Sequence, residues 1–388
     1  MKEWFDKIPV KEMIEWRRHI HQNPELSFKE YKTSEFVKEK LRSFGNIEIV
    51  EPAGTSVLGI LKGDFEGKTI LLRADMDALP MQEESDVPYR SACENVAHTC
   101  GHDVHTAMLL ATAKVLSEMK DQLHGTVKFI FQHAEELNPG GANDIVKSGV
   151  LDDVDAVIGL HVITNLEAGS IHVHLDGPST TAVDAFSLNI QGKGSHGSMP
   201  QNGIDPIIVG ADIINGLQKI VSRYVTPGEL TVITVGEFKA GDAPNIIPDK
   251  AYMSASIRTV NEETRQKVAQ RIRDVIDKTC QIYGATYDLD YTFSYPAVIN
   301  DKDVSKLVMD SAKEVLGEDK VAEISLTSAS EDFAYYRQIA PVSFVQLGGG
   351  TAEDGCGYAN HHPKFAIKEE AMEAGVKTEV QSVLNFLK

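Results

Sequence analysis

Thr69-Ile-Leu-Leu-Arg-Ala-Asp75 is an apolar run closed by an acid, and two later stretches repeat the arrangement. Thr126–Gln132 (TVKFIFQ) leads into Glu135 and Glu136, and Asp155–His161 (DAVIGLH) ends on a histidine. Short runs of this kind form strands buried on both faces. Asp103–Met119 carries a helical pattern between the first two, and strands alternating with helices predict an α/β fold with a mostly parallel sheet. In such sheets ligands bind beyond the carboxyl ends of the strands. Asp75 with Asp77, Glu135 with Glu136, and His161 all fall at such ends.

Outward from these runs, Trp4–Phe44 reads as helical, broken at Asn23-Pro24 and stopped at Gly45. From Ala182 the style changes. Val183–Gln191, Leu230–Phe238, Tyr252–Val260 and Thr286–Phe293 read as strands, with helices over Ile204–Tyr224 and Asn261–Tyr283. That β-α-β-β-α-β order is the ferredoxin-like pattern. The helix Asp303–Leu316 and the Gly-rich 347–350 region resume the first style. The expected organisation is therefore a catalytic domain over 1–181 and 294–388, split by an inserted α+β domain over 182–293.

The composition of the 388 residues narrows the function. Lys+Arg number 38 against 57 Asp+Glu, a net charge of −19, which has the wrong sign for a nucleic-acid binder. A 42% hydrophobic content fits an ordinary globular chain of roughly two domains. No run reaches the ~18 apolar residues of a membrane span, and the N-terminal stretch lacks a signal-peptide core, so a cytoplasmic protein is expected. Four scattered cysteines do not make a disulfide framework, which leaves each thiol available as a ligand.

His98-Thr-Cys100-Gly-His102-Asp103-Val-His105 stands before a predicted helix, and His361-His362 lies near the C-terminus. Taken singly, each candidate has an ordinary explanation: a Glu-Glu pair is usually solvated surface, a buried Cys a small core residue, a strand His a satisfied core group. Their convergence at element ends predicts a metal site. Carboxylate, imidazole and one thiolate suit Zn²⁺, with Mn²⁺, Co²⁺ or Ni²⁺ as substitutes. Of two adjacent glutamates, one can bind metal while the other stays free as general base. The candidates exceed the three protein ligands of a mononuclear catalytic zinc, so two metals fit better.

Several motifs then carry a resemblance: RADMDALP (73–80), HTCGHDVHT (98–106), FQHAEE (131–136), GLH (159–161), GKGSHGSMP (192–200), NIIPD (245–249), SEDFAYY (330–336) and HHPKF (361–365). In this order they resemble the aminoacylase/carboxypeptidase family of binuclear metallo-amidohydrolases. The nearest branch is that of N-acyl-amino-acid amidohydrolases, hippurate hydrolase, auxin-conjugate hydrolases and N-acetyl-diaminopimelate deacetylase. The resemblance implies a catalytic domain interrupted by a lid that also dimerises, giving a homodimer or higher homo-oligomer. It implies Cys100 as the metal-bridging thiolate, with His102, Glu136, His161 and one of His361 and His362 as further ligands; counting back from Phe365 favours His361. Glu135 would be the general base, and Asp77, helped by Asp75, would orient a ligand. In the lid, His196 would reach the partner's active site and polarise the scissile carbonyl, while Asn245 and Arg258 would hold the substrate carboxylate. One departure stands out: His133 occupies the position before Ala-Glu-Glu where the branch usually has Pro.

The expected activity is metal-dependent cleavage of the amide of an N-acyl-L-amino acid by activated water. A dipeptidase or carboxypeptidase would share this machinery. Rivals of other classes are a cysteine hydrolase using Cys100 and a non-catalytic binder of amino-acid conjugates.

Overall fold

The runs at 69–75, 126–132 and 155–161 become neighbouring strands in the computed structural model, which describes residues 2–388. After α1 (Val10–Gln22) and α2 (Tyr31–Phe44), the chain forms β1 (Ile47–Val50), β2 (Val57–Lys62), β3 (Phe65–Asp75), β4 (His124–Gln132) and β5 (Ala156–Ile163). The sheet runs β1-β2-β4-β3-β5 and continues through Val342–Gly348, Ile171–Val173 and Val321–Glu323. β4, β3, β5 and Val342–Gly348 are successive parallel neighbours. β1, β2 and β4 pair antiparallel, as do Val342–Gly348 and Ile171–Val173. The parallel expectation thus holds for the centre, gives way on the β1-β2 side and between Val342–Gly348 and Ile171–Val173, and returns at the outer pair Ile171–Val173 with Val321–Glu323. The link 51–56 shows why: a parallel pair needs a crossover of about a dozen residues or more, and a short link permits only a hairpin.

The parallel centre is buried as its composition demands. Thr69–Asp75 is buried at every position, as is Val127–Gln132 after the half-exposed Thr126. Lys128 is buried within β4 and escapes desolvation by donating to Val150 O and pairing with Asp153. α3 (His102–Ser117) is buried along nearly its whole length. A helix apolar on all sides must be covered on all sides. The sheet lies beneath it, and α1 and the C-terminal helix Ala371–Phe386 pack against it.

The described chain divides into two compact units. One comprises the chain up to Ser179 with Val298–Leu326 and Asp332–Lys388; the other comprises Thr180–Ala297 and Thr327–Glu331. The second unit is a four-stranded antiparallel sheet in the order Thr231–Ala240, Lys250–Thr259, Ala182–Gln191, Thr286–Phe293. That is the ferredoxin-like order. Its helices Pro206–Arg223 and Glu262–Tyr283 begin at caps readable in the sequence: Asp205 accepts from Ile207 N–H beside Pro206, and Asn261 accepts from Thr264 N–H. Ile213, Leu217, Ile272 and Ile276 pack on Phe186, Leu188 and Ile190 of the sheet. Thr327–Glu331 joins this unit through Thr181 N–H, which donates to Ala329 O at 2.9 Å. No local pattern announces that association.

Candidate active site

Strand register builds the site in the first unit. Asp75 lies opposite Gln132, and Arg73 opposite Gly159, so the segments leaving β3, β4 and β5 emerge side by side. Cys100-Gly101-His102 enters the same space at the start of α3. Gly101 has φ +93°, and a Cβ there would come within 2.3 Å of Val162 Cγ1, so only glycine fits this turn. The helix begins at His102, one residue earlier than its apolar pattern suggests, which holds the imidazole in the first turn.

Most of the predicted ligands of this unit meet here. Cys100 Sγ lies 3.4 Å from His161 Nε2 and 3.2 Å from His361 Nε2. Glu136 Oε1 is 3.1 Å from His361 Nε2 and 3.8 Å from His102 Nε2, and His102 Nε2 is 3.9 Å from Glu135 Oε2. The donor atoms of Cys100, His102 and His161 lie within 4.8 Å of one another; those of Cys100, Glu136 and His361, and of His102, Glu135 and Glu136, do so too. His102 Nε2 is buried with no hydrogen-bond partner, which is costly unless a cation takes its lone pair. This donor set therefore fits a pair of divalent ions. His362 turns elsewhere, stacking on Tyr358 while its Nδ1 accepts Lys364 N–H.

The surrounding hydrogen bonds set the tautomers. His161 Nδ1 lies 2.9 Å from Val162 O and His102 Nδ1 3.1 Å from Asp77 Oδ1, so each ring donates from Nδ1 and turns an Nε2 lone pair inward. Burial lowers the pKa of His161 and keeps it neutral. For His102 burial acts in the same direction, but Asp75 and Asp77 outweigh it and raise the ring to about 10, so its Nε2 offers a lone pair only where a cation displaces that proton. Burial, with Glu136 and Glu135 beside it, pushes the Cys100 thiol well up. A thiol so placed is a poor nucleophile by itself and becomes thiolate only beside a cation.

Asp77 ties the carboxylates to the imidazole. Its Oδ1 accepts from Glu135 N–H at 3.1 Å as well as from His102, and its Oδ2 accepts from Glu136 N–H at 2.9 Å and from Ser27 Oγ at 2.6 Å. Asp75 faces a different histidine: its Oδ1 lies 2.6 Å from His105 Nδ1, while His105 Nε2 accepts Val162 N–H at 2.8 Å. Burial opposes ionisation of Asp75, yet Arg73, His102 and His105 hold its carboxyl well below the usual range. His133 does not approach Glu135 by hydrogen bonding: its Nδ1 lies 2.6 Å from Ser56 Oγ, which also accepts His133 N–H at 3.0 Å. Glu30, His105, Arg73 and Asn360 were given no role by the sequence. Asn360 Nδ2 donates at 3.0 Å to both Cys100 O and Val162 O, steadying the backbone at one candidate ligand and just after another, His161.

The remaining candidates lie in the second unit. His196 pairs with Ile246 in a short ladder, and Gly197 N–H donates to Asn245 O at 2.8 Å, which makes His196 and Asn245 neighbours. Both are exposed. Ser198 N–H and Oγ lie 3.1 Å and 2.8 Å from His196 Nδ1, so the ring proton belongs on Nε2. Arg258 is half-buried on the sheet face away from the helices; its Nη1 has no partner, and burial lowers its pKa.

Known proteins share this architecture. The model of peptidase family M20/M25/M40 matches residues 71–385. An N-acyl-L-amino acid amidohydrolase of Geobacillus stearothermophilus is 46% identical over 77% of this chain and 80% of its own length. Thermostable carboxypeptidase 2 of Saccharolobus solfataricus is 39% identical over 98% of both. A solved Bacillus subtilis structure, described as a dinuclear metal-binding peptidase of the M20 family, superimposes with a TM-score of 0.84 at 34% identity, covering 97% of this chain and 98% of that one. The chain belongs to peptidase family M20/M25/M40.

Proposed function

We propose that this protein is a metal-dependent hydrolase that cleaves the amide bond of N-acyl-L-amino acids. The observation that carries the reading is the convergence of Cys100, His102, Glu136, His161 and His361 beside Glu135, with His102 Nε2 buried and unpartnered. These five side chains would hold two divalent cations, Zn²⁺ or Mn²⁺. Bound there, the cations supply Lewis-acid polarisation of the attacking water and of the amide carbonyl. Glu135 takes a proton from the attacking water and returns it to the leaving amine. Asp77 keeps His102 in the tautomer that presents Nε2, and Asp75 does the same for His105. Arg258 and Asn245 bind the free carboxylate of the substrate, and His196 of one subunit donates Nε2–H to the carbonyl oxygen in the partner's active site as charge develops on it. We place 182–293 as the lid and dimerisation domain of a cytoplasmic homodimer. Among the described residues no helix is long and apolar enough to cross a membrane.

The amidohydrolase and carboxypeptidase relatives support amide hydrolysis as the reaction. The carboxypeptidase likeness, spanning nearly the whole of both chains, favours a second reading in which a short peptide with a free carboxylate is the substrate. One experiment tests both: metal content by elemental mass spectrometry, with amine release from N-acyl-amino acids and dipeptides measured before and after chelation. Two metals per chain and chelator-sensitive release from acetyl-amino acids are expected. Turnover that survives chelation and is blocked by alkylating Cys100 would overturn the reading.

A further inference from the structure

Four consecutive backbone N–H groups at the exit of β4 donate to side chains rather than to other backbone. His133 N–H donates to Ser56 Oγ at 3.0 Å, Ala134 N–H to Glu30 Oε1 at 2.9 Å, and Glu135 and Glu136 N–H to Asp77. Ala134 sits at φ +53°, a left-handed conformation that residues with a Cβ avoid. Such backbone persists only where its surroundings over-determine it. The donor at that strained residue is held by Glu30, which is fully buried.

Glu30 is itself held from several sides. Its Oε1 also accepts Phe28 N–H at 3.0 Å, its Oε2 accepts Thr55 Oγ1 at 2.6 Å, and its own carbonyl accepts Ser34 N–H as α2 begins. Phe28 is a second left-handed residue, at φ +65°, and its ring meets that of His133 edge-on at 5.5 Å. One carboxylate therefore joins two left-handed residues on loops far apart in the sequence. Ser27, on the same short loop, donates to Asp77 Oδ2. The loop thus secures both Asp77 and the turn that bears Glu135.

We propose that Glu30 is a positioning residue for Glu135: by capping Ala134 N–H it holds the left-handed turn that directs the carboxylate at the reacting centre. The proposal rests on reading Glu135 as the general base. A misplacement of about 1 Å can cost on the order of 100-fold in rate, so the loss of this cap is felt in turnover before binding.

The test uses the metal-loaded enzyme and an N-acetyl-amino acid. Glu30→Ala is expected to lower kcat about 10–100-fold with KM and metal content unchanged, and to speed amide exchange at Ala134 and Glu135. Glu30→Gln, whose amide oxygen can still accept Ala134 N–H, is expected to recover most of the rate. Wild-type kcat in a folded Glu30→Ala overturns the proposal. So does joint loss of rate, metal and thermal stability with Gln no better than Ala, since that is a purely structural role. Should Glu30→Ala not fold, Thr55→Val removes only the hydroxyl bonded to Oε2: a several-fold drop in kcat at full metal content supports the proposal, and an unchanged kcat rejects it. Glu135→Gln assayed alongside separates the two failures. If that variant were active, the base assignment would fall; an inactive Glu135→Gln beside a fully active Glu30→Ala would strike only the positioning.

Discussion

Asp77 and Arg258 carry opposite charges in opposite settings. Asp77 is 1% exposed, and its two oxygens accept from His102, Glu135 N–H, Glu136 N–H and Ser27. Arg258 is half-buried, and its Nη1 meets no partner. The same contrast runs through the other candidates: Asp75, His102 and Glu135 are buried in the first unit, whereas His196 and Asn245 are exposed in the second. The first unit uses its hydrogen bonds to preorganise its own groups. The second leaves hydrogen-bonding capacity for something else to bind. Chemistry needs fixed geometry, and recognition needs unspent donors.

The sharpest way to break this contrast is Glu135→Gln. It should reduce kcat by about 10²–10⁴-fold while two metals per chain remain bound, checked by kinetics and elemental analysis together. Asp77→Ala should come next, weakening metal affinity about 10–100-fold as His102 loses its orienting partner; competition with a chelating dye would read it. Substitution in the second unit should act on recognition instead. Arg258→Ala is expected to raise KM about 10-fold or more for a substrate with a free carboxylate, and to leave KM for its carboxamide analogue unchanged. An equal effect on both would mean that Arg258 does not hold the carboxylate.

A smaller effect tests whether burial alone explains the buried acids. Glu379, in the C-terminal helix, is buried with only Thr112 Oγ1 donating to it at 2.5 Å, and burial raises its pKa from 4.5 to about 7. Asp75 is buried at least as deeply, yet Arg73, His102 and His105 lower it. Cations rather than depth decide which acid is charged. Between about pH 4.5 and 7 folded Glu379 holds a proton that the unfolded chain releases, so this residue's contribution to stability falls as pH rises through that window. Glu379→Gln should therefore gain about 1–3 kcal/mol relative to the wild type on going from pH 5 to pH 8, read from paired urea melts. A pH-independent difference would mean that Glu379 is already ionised at pH 5.

Much of the first unit's site was legible because its signals are local. An apolar run followed by an acid or a histidine identifies a strand end, and parallel pairing then gathers such ends on one side of the sheet, as it does for Asp75, Glu135 and His161. The inserted unit was readable for the same reason, from helical periodicity, caps and strand order. The role of Arg73 was not legible: nothing inside its apolar run points to Asp75 or to Asp332, with which it pairs at 3.0 Å. Glu30 reads as an ordinary acid before a helix, and nothing near it in sequence points to Ala134. His105 reads as one more histidine of a cluster until Asp75 and Val162 N–H are found on its two nitrogens.

The sequence by itself determined the α/β class, the interrupted organisation and the residue types able to hold metal, since periodicity, turn chemistry and donor atoms belong to short stretches of chain. Only the tertiary structure decided which acid orients which histidine, that Ala134 is held left-handed by Glu30, and that Thr327–Glu331 joins the inserted unit. Those pairings join residues far apart along the chain, and they exist only once packing has brought them within hydrogen-bond reach.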